Sequence, residues 1–100
     1  MHKSFKKEQI AQLVRTSIEL YLLQSADIYG YLRVIDVNMS EDLKIAHIYI
    51  ACPVEKNEEK LENMIAGDNR KIVEIFKERF RSKFLPKLKF VFIKESDDKF

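Results

Sequence analysis

The chain has 100 residues, 46% of them hydrophobic and 34% charged, with a net charge of +2. This length fits one domain, residues 1–100, and the composition argues against a disordered, collagenous or membrane-spanning chain. Cys52 is the only cysteine, which excludes an internal disulfide and leaves no thiolate set for a metal. We therefore expect a single packed core without metal or cofactor.

The first predicted element is a helix. The N-terminal residues are basic, and an amphipathic segment follows them instead of a signal peptide's apolar core, so we expect a cytoplasmic protein. Between Lys7 and Leu23 apolar residues recur at three- and four-residue spacing, which predicts a helix with one buried stripe. The stripe consists of Ile10, Leu13, Val14, Ile18, Tyr21 and Leu22.

Two strands follow, over residues 31–39 and about 44–51, because β-branched and aromatic residues are enriched there. Residues 40–42 are typical of a hairpin connection. The apolar alternation changes parity along the first strand, which indicates a β-bulge near Asp36. In the second strand one face is expected to meet the helices and the other to be more exposed. The first face carries Ala46, Ile48 and Ile50, and the second carries His47, Tyr49 and Ala51.

Two more helices and a strand complete the pattern. Asn57 is a predicted helix cap, and the second helix has an apolar side made by Leu61, Met64 and Ile65. Residues 66–69 interrupt this helix. A third helix, with a stripe of Ile72, Val73, Phe76 and Phe80, should stop by about residue 83 or 84 because of Pro86. The last strand is expected over 88–94, with a fraying tail at 95–100.

The element order is helix, strand, strand, helix, helix, strand. This order predicts an α+β domain with two layers, in which helices cover one face of a three-stranded sheet. It is the order of the type II KH-like fold, with a kink between the second and third helices.

Two runs of the sequence sharpen the match. Residues 36–50 contain Asp-Val, then Ser-Glu-Asp-Leu, then Ala-His-Ile-Tyr-Ile, and residues 86–90 read Pro-Lys-Leu-Lys-Phe. These runs resemble the ribosome-binding factor A family, whose pattern has Asp-Val, a Ser-x-Asp-Leu hairpin, Ala-x-Val-Tyr-Val and Pro-x-Leu-x-Phe. The apolar positions of the first and third helices also fit.

The resemblance implies a function. It implies a monomeric factor for ribosome biogenesis that binds the immature small ribosomal subunit through its rRNA and assists rRNA maturation. No enzyme activity, cofactor or membrane contact is implied.

The sequence also departs from the family. Counted back from Pro86, the alanine and glycine of the family's Ala-x-Gly kink would fall at Asp68 and Arg70, whereas Ala66 and Gly67 stand about one turn earlier. The kink is thus shifted. Gly30 and Gly67 are the only glycines, so the Gly-x-x-Gly loop with which KH domains clamp nucleotides is absent.

The candidate RNA-binding residues are basic side chains, because phosphate contacts from Lys and Arg supply most sequence-independent affinity for nucleic acid. Helical spacing places Arg70, Lys77 and Arg81 on one flank of the third helix. The alternative is a solvated helix surface. The whole set comprises Arg70, Lys71, Lys77, Arg79, Arg81, Lys83, Lys87 and Lys89, with Lys3, Lys6 and Lys7 at the N-terminus.

Other polar residues are weaker candidates. His47 and Tyr49 could stack on a base or pack across strands, and cross-strand packing is the more frequent role. Nothing near Cys52 in the sequence supplies an activating base. The functional alternative is a protein-interaction module that uses the exposed sheet face or an edge strand.

Overall fold

The structure is a computed structural model that describes residues 2–30, 32–80 and 85–95. The sheet has the order β1-β2-β3, with β1 antiparallel and β3 parallel to β2. The elements are α1 (His2–Gln24), α2 (Ala26–Tyr29), β1 (Arg33–Met39), β2 (Ile45–Pro53), α3 (Glu58–Gly67), α4 (Asn69–Arg79) and β3 (Lys87–Glu95). The predicted α+β fold is confirmed. No helix of the described residues is long and apolar enough to cross a membrane.

Helix α1 supplies one side of the core. Val14, Ile18 and Tyr21 are completely buried, as the predicted stripe requires. The helix lies mainly over β1, and α4 packs beside it. The helical layer therefore covers the β1 side of the sheet more completely than the β3 side.

The predicted β-bulge is confirmed in β1. Val34 pairs with Ile50 and Asp36 pairs with Tyr49, so Ile35 is the extra residue that shifts the register. A bulge re-aims the side chains that follow it, which explains the change of apolar parity. Val37 and Met39 consequently return to the helix side of the sheet, opposite Ile48 and Ala46.

The β1–β2 hairpin is held by the side chains of Ser40 and Asp42. The Ser40 hydroxyl donates to an Asp42 carboxylate oxygen at 2.7 Å, and the backbone N–H of Lys44 donates to the same oxygen at 3.1 Å. These bonds hold the pKa of Asp42 below its usual value. Leu43 takes a left-handed conformation, with φ of 64°. The Ser-x-Asp-Leu run thus forms a defined turn.

The two faces of β2 differ in burial. Ala46, Ile48 and Ile50 are completely buried against the helices, while His47 and Tyr49 are half-buried on the open face.

The prediction that Ala51 is exposed is wrong, since only 2% of it is exposed. Arg33, which pairs with Ala51 across the sheet, reaches Glu95 on β3 at 2.6 Å, so this ion pair spans β2.

The helix break is confirmed at Asp68, between α3 and α4. Asn57 caps α3 as predicted, because its side chain accepts a 3.0 Å hydrogen bond from the N–H of Lys60.

Helix α4 ends at Arg79, before the predicted limit at residue 83 or 84, and Phe80 is extended with φ of −93° and ψ of 128°. Phe80 therefore does not continue the helical stripe. Its ring stacks on Phe76 with centroids 5.2 Å apart, and Ile75 takes the buried place on the helix.

The C-terminal predictions are confirmed only in part. Strand β3 includes Glu95, which was predicted to fray but pairs with Pro53 across the sheet. The rest of the predicted tail, residues 96–100, lies outside the described residues.

Candidate nucleic-acid interface

A groove of about 850 Å³ lies between the α3–α4 pair and β3. Its walls are mostly apolar, with Val73 and Phe76 on the helix side and Leu88 and Phe90 on the strand side. The remaining lining residues are His47, Glu62, Ile65, Ala66, Asn69, Ile72, Leu85, Pro86, Lys87, Lys89 and Val91.

The groove exists because the helical layer covers the sheet unevenly. Leu88, Phe90 and Phe92 on β3 point toward the helices but are only half-buried, whereas their β2 neighbours Ala46 and Ile48 are completely buried. Helix α1 lies mainly over β1, and α4 lies beside α1, so β3 receives the least cover. Apolar surface on the strand is thereby left facing a cleft.

Basic residues border this groove on α4 and on β3. Val73, which lines it, follows Arg70 by three residues and precedes Lys77 by four, so the three residues share one side of α4. Lys87 and Lys89 border the groove from β3, where strand alternation directs their side chains to the sheet face opposite to that of Leu88 and Phe90. All four basic residues are exposed. We call these four, Arg70, Lys77, Lys87 and Lys89, the rim residues.

The other predicted RNA-binding residues lie elsewhere. Lys71 is exposed on α4 with Glu74 and Glu78, at helical spacing that places it away from Val73. Arg79 is half-buried. Lys6 is exposed on α1.

Lys7 is already paired, since its ammonium contacts Glu41 at 2.7 Å and this contact lowers the pKa of Glu41. Lys3, Arg81 and Lys83 lie outside the residues whose side chains the structure describes.

His47 lines the groove, although nothing in the sequence links it to the basic segment. It was assigned to the open sheet face, and pairing of β2 with Lys89 brings it to the groove. A sequence pattern could have found this only if the parallel order of β2 and β3 were known.

The described residues show little chemistry beyond binding. Residues 2–30, 32–80 and 85–95 contain no group of three His, Cys, Asp or Glu side chains that could hold a metal. Cys52 is buried, and burial raises the pKa of its thiol, opposed only in part by Lys94. A protonated, buried thiol is a poor nucleophile. What the groove offers a ligand is basic residues at its border and apolar surface on its walls.

The fold and groove together define a small KH-like α+β domain with a basic-rimmed cleft. No protein-family model and no curated protein matches the sequence. Solved structures of ribosome-binding factor A have this fold. The crystal structure of that factor from Thermus thermophilus matches with a TM-score of 0.61 and 21% identity, over 90% of this chain and 93% of that one.

A second similar structure is a homology model of the Thermus thermophilus factor, fitted into the cryo-EM map of a 30S–RbfA complex. It matches with a TM-score of 0.60 and 21% identity, over 85% of this chain and 88% of that one. At these identities the likeness establishes the fold. The predicted type II KH-like architecture is thus confirmed, and the chain has the ribosome-binding factor A fold.

Proposed function

We propose that this protein is a ribosome assembly factor that binds the immature small ribosomal subunit through its rRNA and assists rRNA maturation. The observation that carries the proposal is the placement of the four exposed rim residues on α4 and β3, the two elements that border one apolar groove. Arg70 and Lys77 come from α4, and Lys87 and Lys89 come from β3. Support also comes from the shared fold, because one protein with this fold was fitted into a map of a 30S complex.

The groove suits an RNA strand for two reasons. Lysine and arginine on the two rims can contact phosphates on both sides of a backbone, and these contacts supply sequence-independent affinity. Bases can then rest on the apolar walls, where the half-buried Val73, Leu88 and Phe90 lie. Because the sequence has no Gly-x-x-Gly loop, the side chains of the rim residues must make the contacts with the RNA backbone that a KH domain makes through this loop.

The mechanism requires only selective binding. A ligand shifts a conformational equilibrium by its differential affinity for the two states. A protein that binds one rRNA arrangement more tightly than another therefore favours that arrangement, and no catalytic group or cofactor is needed. We propose that the factor acts in this way, as a monomer in the cytoplasm.

The test is co-sedimentation with free small subunits and with joined ribosomes at several salt concentrations. Arg70→Glu with Lys77→Glu, and separately Lys87→Glu with Lys89→Glu, should each abolish binding to free small subunits. The wild-type protein should bind free subunits in preference to joined ribosomes and lose affinity steeply as salt rises.

The matched control is Lys60→Glu with Lys71→Glu, which changes the net charge equally. Both residues are exposed on α3 and α4, and neither lines the groove or lies three or four residues from Val73. This control should retain most of the binding. If it loses as much as the rim variants, net charge and not the groove determines affinity. Folded rim variants that bind like the wild type would overturn the proposal.

A second candidate function is a protein-interaction module that uses the open sheet face. The observation in its favour is that Val91 and Ile93 on this face are 38% and 42% exposed. Apolar contact does not weaken steeply with salt, whereas phosphate contact does. Salt-insensitive association that is lost in Ile93→Lys, at a residue that does not line the groove, and kept in the rim variants would favour this second candidate.

A further inference from the structure

A chain of hydrogen bonds links the core to the break between α3 and α4. The hydroxyl of Tyr21 donates to Asp68 Oδ2 at 2.8 Å, and the hydroxyls of Tyr21 and Tyr29 lie 2.7 Å apart. A carboxylate can only accept hydrogen bonds, so the Tyr21 hydroxyl donates its single proton to Asp68. The bond between the two tyrosines must then have Tyr29 as donor and Tyr21 as acceptor. Tyr21 and Tyr29 are 0% and 1% exposed. The chain therefore runs from Tyr29 through Tyr21 to Asp68.

Asp68 stands where neither helix continues. Its backbone has φ of −96° and ψ of 19°, its N–H donates to the Ile65 carbonyl, and its own carbonyl accepts from the N–H of Ile72. Aspartate at such a position usually caps the next helix with its side chain. Here the Asp68 side chain makes no cap for α4 and is bonded to Tyr21 instead.

Gly67 does not account for the break. Its φ is not in the left-handed region, and a Cβ built at this position would meet no atom within 4 Å. Any residue could take this conformation without a steric conflict. The direction of α4 therefore depends on what holds Asp68, and Tyr21 is the side chain that does so.

We propose that the Tyr21–Asp68 hydrogen bond sets the direction in which α4 leaves α3 and thereby places Arg70 at the rim of the groove. Arg70 lies two residues after Asp68, in the first turn of α4. Residues on both sides of Asp68, Ala66 and Asn69, line the groove. Tyr21 and Asp68 are thus positioning residues for RNA binding, a role that rests on the proposed function.

The environment makes this bond persistent. A hydrogen bond to a carboxylate is stronger than one between neutral groups, and low dielectric strengthens it further. Burial raises the pKa of the Tyr21 hydroxyl, and its bonds to Tyr29 and Asp68 raise it further, so Tyr21 stays protonated and able to donate. The buried hydroxyls also have little water with which to exchange partners.

The first test compares Asp68→Asn with Asp68→Ala in binding to small subunits. Both variants remove one negative charge, which by electrostatics alone strengthens binding to RNA. Asparagine retains an acceptor oxygen for Tyr21, and alanine does not. We expect Asp68→Asn to bind at least as well as the wild type. Asp68→Ala should bind more weakly, with a salt slope shallower by roughly 0.7 to 0.9, the value of one phosphate contact.

Tyr21→Phe keeps the buried ring but removes the donor to Asp68, so it should reproduce the Asp68→Ala result. Tyr29→Phe removes only the hydroxyl that does not contact Asp68, so it should bind like the wild type. Loss of stability alone would affect both tyrosine variants and leave the salt slope of the folded protein unchanged. Equal binding by Asp68→Ala and Asp68→Asn would overturn the proposal.

A second measurement does not require RNA. Residual dipolar couplings of backbone amides report the orientation of α3 relative to α4 in the free protein. We expect this orientation to change in Tyr21→Phe and Asp68→Ala and to be retained in Tyr29→Phe. An unchanged orientation overturns the positioning role whatever the binding result. If the wild-type protein fails to bind RNA while the orientation changes, the proposed function fails and the structural role of the bond stands.

Discussion

The guanidinium of Arg15 donates a 3.1 Å hydrogen bond to the backbone carbonyl of Val34, the residue directly before the β-bulge. A bulge interrupts the hydrogen-bond ladder of the sheet at this point, and the Arg15 side chain on α1 supplies a donor for the Val34 carbonyl there. Arg15 also contacts Glu19, one turn later on the same helix, at 3.3 Å. Helix α1 is thereby tied to the irregular part of β1 and not only to its apolar side chains.

We predict that Arg15→Met lowers the free energy of unfolding by about 1 to 3 kcal/mol, because a part-buried carbonyl loses a charged donor while the apolar stem is kept. Urea denaturation measures the change. Glu19→Gln removes only the exposed partner and should cost less than about 1 kcal/mol. Equal stability of Arg15→Met and the wild type would show that water replaces this hydrogen bond without cost.

We predict that Gly67→Ala raises the free energy of unfolding by about 0.5 to 1 kcal/mol, because Gly67 is exposed, helical and free of close neighbours. The break at Asp68 should persist in this variant. The matched substitution is Gly30→Ala, at a residue with φ of 76° and ψ of −151°. That conformation is almost restricted to glycine, so Gly30→Ala should cost about 1 to 3 kcal/mol. Thermal denaturation that shifts both variants in the same direction would contradict this assignment.

We predict that stability falls as pH rises above about 10, the ordinary pKa of tyrosine. Burial raises the pKa values of Tyr21 and Tyr29 in the folded protein, so above this pH the unfolded chain has lost protons that the folded protein keeps. The stabilisation is complete below pH 10 and decreases above it, by about 1.4 kcal/mol per pH unit for each tyrosine.

Urea denaturation between pH 9 and 11 checks this dependence. Tyr21→Phe should show a shallower decrease than the wild type, because one of the two buried hydroxyls is missing. Parallel curves for the two proteins would mean that lysines, and not the buried tyrosines, determine the alkaline limit.

We predict that Phe76→Ala lowers the free energy of unfolding by about 3 to 5 kcal/mol, because this ring is 1% exposed in the centre of the core. Phe80, which stacks on it, is only half-buried, and Phe80→Ala should therefore cost less. Chemical denaturation of both variants gives the comparison. A loss under about 1 kcal/mol for Phe76→Ala would mean that α4 does not pack by this face.

Local features of this protein could be predicted from its sequence, and long-range ones could not. The cap at Asn57 and the bulge beside Asp36 depend on residues within a few positions of each other, so spacing and residue type were sufficient. The placement of Phe80 on the helical stripe was wrong, because Phe80 leaves the helix and stacks on Phe76, a contact that helical spacing does not predict.

The candidate site likewise combines features that the local sequence predicts with features that depend on long-range packing. The basic segment was evident from charge alone, yet the association of Lys87 and Lys89 with the groove beside Arg70 and Lys77 depends on where the sheet places β3. The Tyr21–Asp68 bond joins residues 47 positions apart. Nothing in the local sequence distinguishes Tyr21 from an ordinary member of the apolar stripe.

The parallel pairing of β2 with β3 has a consequence for folding. Ile45 pairs with Lys87 and Pro53 with Glu95, so both α3 and α4 intervene in the chain before the sheet is completed. Closing so long a connection costs entropy before its contacts form, and such pairing is slow. During synthesis β3 follows every other described element, and until it docks the edge of β2 remains an open template for other strands. Because β3 is one wall of the groove, the groove forms only when this last strand has docked on β2, so ligand binding there would report that the sheet is complete.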